Sequence, residues 1–137
     1  MLQIYGLPEG LLGPVEWACN QLGIADVMII FDFCTPDDGF HGEVMYDDAE
    51  DHYVIEIADT LDGEELLVAL FHELYHVHQM VYGDLVEHEN RLLWQGESLV
   101  YEGDYHDSPW ESEAMKMEKV LYNLYMMEYN EPTDMKG

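Results

Sequence analysis

Residues 62–83 read Asp-Gly-Glu-Glu-Leu-Leu-Val-Ala-Leu-Phe-His-Glu-Leu-Tyr-His-Val-His-Gln-Met-Val-Tyr-Gly, and their periodicity sets what the rest of the chain must supply. The stretch reads as one long helix. Asp62 stands at the N-cap position, with Glu65 placed three residues on for a capping box. Glu64 and Glu65 complement the positive end of the helix dipole, and Gly83 is the expected stop. At ~100° per residue, Leu66, Leu70, Leu74, Val77 and Val81 fall on one side, within about 80° of each other. His72 and His76 are four residues apart and stack one turn above the other. They point roughly 140° from the centre of the apolar stripe. One face of the helix is therefore expected in the core, and the other beside a cleft.

Working outward, residues 11–22 read as a first helix. Leu12, Val15, Cys19 and Leu22 share a face, and Gly23 ends it. Three strand candidates follow at 27–33, 42–46 and 53–58, separated by turn-rich segments at 35–39 and 47–51. Short turns favour neighbouring antiparallel strands, so the expectation is an α+β fold with a short three-stranded antiparallel meander. Parallel pairing would require crossover helices for which those turns leave no room. Residues 85–93 are a weaker helical or loop segment, and 92–101, with Gly96 inside, read as a small hairpin. A last helix is expected over 110–128, capped by Asp107 or Ser108, with Pro109 at its first position. Residues 1–129 read as a single domain, and 130–137 as a loose tail.

Composition narrows the partners. The chain has 137 residues, 48% of them hydrophobic and 12% aromatic, which argues for a packed domain rather than disorder. Against 30 Asp and Glu stand only 4 Lys and Arg, a formal charge of −26. Nothing on such a chain can neutralise phosphates, so binding to DNA, RNA or an anionic membrane is not expected. No apolar run approaches the ~20 residues of a membrane span. The first residues lack the basic-then-apolar pattern of a signal peptide. Cys19 and Cys34 do not make a disulfide framework, and free thiols fit a cytoplasmic setting. The acidity itself fits solubility or a salty habitat, or attraction to a basic protein partner.

Chemistry concentrates in the long helix. His72-Glu73-Leu74-Tyr75-His76 is a His-Glu-x-x-His motif, in which both imidazoles reach one metal ion. Glu73 lies beside them, where it can take a proton from a metal-bound water. A catalytic zinc usually takes three protein ligands, so one more is needed. The extended pattern with Gly and His further along the helix is missing, since Gln79 and Tyr82 occupy those positions. His78 is turned about 200° from His76. His106 is a loop candidate. Better placed are Glu111 and Glu113, in Ser108-Pro109-Trp110-Glu111-Ser112-Glu113-Ala114 at the start of the last helix. They lie about 200° apart, so at most one can face the metal. An N-cap at Ser108 would draw Glu111 into a capping box and leave Glu113, whereas an N-cap at Asp107 frees Glu111.

A His-Glu-x-x-His helix followed by a second helix carrying Glu-x-x-Ala resembles the gluzincin metallopeptidases, and the small size is similar to their minimal members. The Pro109–Ala114 stretch also resembles small phage and prokaryotic proteins with a Pro-Trp-Glu-x-Glu-Ala segment. The resemblance covers roughly residues 40–125. It implies a zinc-dependent peptidase with His72, His76 and Glu111 as ligands and Glu73 as general base. It further implies a peptide or protein substrate laid along an edge strand, for which 53–58 is the candidate. Tyr105 or His106 would stabilise the oxyanion. The chain departs from the family at Met115, where many members carry a supporting acidic residue four after the ligand glutamate. The alternative reading is an acidic, non-enzymatic binding or decoy protein for a basic partner, with a structural or vestigial metal site.

Overall fold

The computed structural model describes residues 3–35, 42–47, 49–82, 85–88, 91–94, 97–99 and 109–129. Strand β1 (Gln3–Tyr5) leads through a 3-10 turn (Glu9–Leu11) into helix α1 (Leu12–Leu22). Strands β2 (Met28–Cys34), β3 (Gly42–Asp47) and β4 (His52–Ala58) precede the long helix α2 (Gly63–Val81). Three short strands, β5 (Leu85–His88), β6 (Arg91–Trp94) and β7 (Glu97–Leu99), come before helix α3 (Pro109–Tyr129). The class is α+β.

The sheet differs from the expected antiparallel meander. It has four strands in the order β1-β2-β4-β3, with β1 parallel to β2, β2 parallel to β4, and β3 antiparallel to β4. Two things produce the difference. The three residues of β1 carry too little pattern to be read as a strand, yet they make α1 the crossover of a parallel β-α-β unit. The second is the place of β3, which among the described residues pairs only with β4 at the outside of the sheet. So β3 folds back on β4 as a hairpin, and β4 slots in beside β2. It follows that residues 53–58 are not the edge expected to border the cleft: β4 is internal, and β3 is the edge.

One face of the sheet is apolar. Ile29 and Phe31 of β2 and Ile55 and Ile57 of β4 point inward, packed with Val15, Ala18 and Cys19 of α1 and with Leu70, Phe71, Leu74 and Val77 of α2. The alternate positions Asp32, Glu56 and Glu43 lie in register on the opposite face. Gly23 takes the left-handed conformation (φ 71°) that ends α1, with its N–H returning to Asn20 and Cys19. The end of α1 is fastened to α2: His78 Nδ1 donates to the Leu22 carbonyl at 2.8 Å, and the Tyr82 hydroxyl donates to that of Gly23 at 2.7 Å.

Local expectations fare unevenly. Asp62 is the N-cap of α2, but its side chain makes no capping hydrogen bond, so the expected capping box does not form. Glu64 and Glu65 sit in an exposed first turn, where no neighbouring group holds a box in place. The described residues of this segment, 85–88 and 91–93, are strand rather than helix or loop, since β5 pairs antiparallel with β6. Runs of four residues are too short for helical and strand periods to separate. The β6–β7 pairing, Leu92 opposite Leu99, supplies the hairpin expected within 92–101. The Gly83 stop, the Asp107 and Ser108 caps, Tyr105, His106 and the tail at 130–137 lie outside the described residues. Among the described residues no helix is long and apolar enough to cross a membrane.

Candidate metal centre

Helices α2 and α3 pack against each other, and the site lies between them. Trp110, Ala114 and Leu121 of α3 are buried at one-turn and two-turn spacing, so the inward stripe of α3 is fixed by apolar packing. That stripe also carries Glu111, only 5% exposed. Its carboxylate bridges both histidines of α2: Oε1 lies 2.5 Å from His72 Nε2, and Oε2 lies 3.3 Å from His76 Nε2. The two rings meet edge to face with centroids 4.8 Å apart.

The far side of each ring is also held. His72 Nδ1 is 2.7 Å from Glu118 Oε1, and His76 Nδ1 is 2.8 Å from Gln79 Oε1. Gln79 Nε2 donates in turn to the Trp110 carbonyl at 3.1 Å and to Glu113 Oε1 at 2.9 Å. Both imidazoles therefore aim Nε2 at the Glu111 carboxylate, and outer partners of this kind are what ligand histidines ordinarily have. Ligand atoms from His72, His76 and Glu111 all lie within 4.8 Å of one another, and this group can hold a metal ion. Two imidazole nitrogens and one carboxylate make a donor set suited to a borderline divalent cation. Among the described residues no other group of His, Cys, Asp or Glu has this geometry.

Charge is distributed unevenly. Burial works against a charged His72, but its hydrogen bonds to Glu111 and Glu118, with the nearby Glu73 charge, outweigh that and hold its pKa up to about 10. Burial also disfavours a charged Glu111, yet the hydrogen bonds from His72 and His76 win and hold its carboxyl well below the usual range. Glu73 goes the other way. It is buried, and desolvation exceeds the pull of His76 and His72; with Glu111 and Glu43 adding negative potential, its pKa rises to about 7.

Strand β3 runs directly over Glu73. A Cβ built on Gly42 would stand 2.8 Å from Glu73 Oε2, so glycine is what lets the edge strand approach the carboxylate.

Of the two glutamates considered as third ligand, Glu111 joins the histidines and Glu113 accepts from Gln79. Three participants went unread in the sequence. Glu118 lies two turns beyond Glu111 on the inward stripe of α3. It contacts His72, while Met115, four residues after Glu111, is 43% exposed. Gln79 follows His76 by three, and Gly42 opens the edge strand. For Glu118 the available signal was polarity on the inward stripe of α3; Gln79 lies opposite the apolar stripe of α2, about 20° around the helix from His72, and Gly42 gave no such signal.

The fold and the site together define an α+β chain with a His-His-Glu group able to hold a metal ion. No protein-family model matches the chain, and no curated protein or solved structure matches it either.

Proposed function

We propose that the chain is a small zinc-dependent metallopeptidase. The observation that carries this reading is the convergence of His72, His76 and Glu111 on one point, with the buried Glu73 alongside. His72 and His76 would hold zinc through Nε2 and Glu111 through its carboxylate. Zinc held there would supply Lewis acidity toward a peptide carbonyl and acidify water near neutral pH. Glu73, buried beside the two histidines, would accept a proton from that water and return it to the departing amide nitrogen. The substrate chain lies along β3, whose outer edge is left by the order β1-β2-β4-β3 and which passes over Glu73. Burial of the Glu73 carboxylate keeps bulk water from competing for its proton.

The test couples zinc content to cleavage. Purified protein is expected to hold one zinc per chain and to cleave members of a proteome-derived peptide library, read by mass spectrometry. Glu73→Gln should retain zinc and fold and lose cleavage by at least a hundredfold, because the amide cannot accept the proton. Cleavage by Glu73→Gln at the wild-type rate would remove Glu73 from the mechanism.

A further inference from the structure

We propose that Gln79 is a positioning residue of the metal centre, a single amide that fixes the ring state of His76 and the approach of Glu111 together. The inference rests on the metal reading above and names a residue that the motif does not contain.

Gln79 is fully buried, and a buried primary amide must spend two donors and one acceptor among its neighbours. Its Nε2 faces the Trp110 carbonyl and the Glu113 carboxylate, both of which only accept. Turning the amide over would set oxygen against both of these oxygens, so its orientation is determined. Oε1 is thereby committed to His76 Nδ1, and only an N–H there satisfies it. In the neutral, metal-binding ring a proton on Nδ1 leaves the lone pair on Nε2, the nitrogen that otherwise donates to Glu111. The Gln79 Nε2 also grips the carbonyl of Trp110, the residue immediately before Glu111, and so fixes the first turn of α3 against α2.

The two histidines are thus supported unequally. His72 leans on a carboxylate, Glu118, whereas His76 leans on a neutral group. The neutrality has a reason. Glu73, Glu111 and Glu113 already crowd this end of the site, and a carboxylate at position 79 would confront Glu113.

The experiment compares wild type with Gln79→Met, Gln79→Glu and the double variant Gln79→Glu/Glu113→Gln. Zinc affinity is measured by competition with a chromophoric chelator. Long-range ¹H–¹⁵N spectra of the zinc-loaded proteins read the histidine rings, and circular dichroism checks folding. Gln79→Met preserves length and bulk; it should lose tenfold to a hundredfold in zinc affinity. It should also lose the slowly exchanging Nδ1–H signal of His76 while keeping that of His72. Gln79→Glu should bind zinc weakly, and the double variant should recover part of the affinity, because the amide at 113 then donates to the carboxylate at 79 while the Trp110 carbonyl still faces an oxygen. Zinc affinity in Gln79→Met within twofold of wild type, with the His76 signal unchanged, would overturn the proposal. If Gln79→Met fails to fold, the other pair decides: recovery in the double variant supports the role, and equal weakness refutes it. A folded wild-type protein that takes up no zinc would remove the metal reading itself, and the proposal with it.

Discussion

His72 and Glu111 face each other at 2.5 Å, and in the metal-free protein they form an ion pair whose titration can be followed. The folded pKa of His72, about 10, lies above its ordinary 6.5, so its contribution is full below pH 6.5 and is lost as pH rises through about 10. Glu111 has a lowered pKa; its contribution is present above the ordinary 4.5 and fades as pH falls below it. Glu73, raised from 4.5 to about 7, favours the folded state when protonated and withdraws that support as pH rises through this interval. Metal-free protein should therefore melt highest near pH 5–6 and lose stability steadily toward pH 9, measured by thermal denaturation in a chelating buffer. Zinc requires the lone pair that His72 has given to a proton, so zinc uptake at pH 7.5 should release about one proton per chain. Calorimetry in buffers of different ionisation enthalpy reads that number directly, and a value of zero would contradict the ion pair. Gly42 offers a second test. In Gly42→Ala the new methyl meets Glu73 Oε2 at 2.8 Å and its Cγ at 3.0 Å, so the Glu73 side chain must shift. The expected result is a chain that folds and binds zinc but cleaves at least tenfold more slowly, seen as a fall in kcat.

The three helices meet at one aromatic cluster. Trp17 of α1 lies 5.9 Å from Phe71 of α2 and 5.3 Å from Tyr125 of α3, and Phe71 and Tyr125 are 5.9 Å apart, ring centre to ring centre. The Trp17 indole also donates to Glu128 at 3.0 Å, near the far end of α3. Trp17→Ala should cost about 3–5 kcal/mol, the range for deleting a large buried aromatic. Urea denaturation of the zinc-free form measures it, and a loss under 1 kcal/mol would mean that the cluster collapses to fill the space. At this level the helices were legible: apolar spacing set the spans of α1 and α2, and Pro109 set the start of α3. The β3–β4 hairpin was legible too, because a short acidic turn joins two alternating runs. Strand order was not. Whether β3 lies beside β2 or beyond β4 depends on pairings between distant residues, and nothing local at 35–41 specifies it. In the candidate site, the His-Glu-x-x-His spacing named three residues outright. Glu111 needed the family resemblance, because an exposed capping glutamate and a buried one look alike in sequence. Glu118 becomes visible only when polar positions are checked against the inward stripe of α3, and Gln79 only by its place on the histidine side of α2, about 20° around the helix from His72.

Over the whole chain, a formal charge of −26 on 137 residues opposes compaction. Added salt screens that repulsion, with the Debye length falling from ~30 Å at 0.01 M to ~3 Å at 1 M. The melting temperature should therefore rise by several degrees between 0.01 and 0.5 M NaCl, and a fall would assign the dominant role to local ion pairs such as His72–Glu111.

The packing of α3 on α2 also has a topological side. His76 and Glu111 lie roughly 35 residues apart along the chain, so an ion gripped by both closes a ring of that size. By the chain-entropy relation used for disulfide loops, such a closure is worth about 4 kcal/mol. In sequence, β5, β6 and β7 all fall inside that ring. The ion would then act as a buckle as well as a reagent: everything after Pro109 would be moored to α2 through a fastening that a chelator can undo. Stripping the metal should loosen the first turn of α3 before it disturbs the four-stranded sheet, a sequence of events that hydrogen exchange can time.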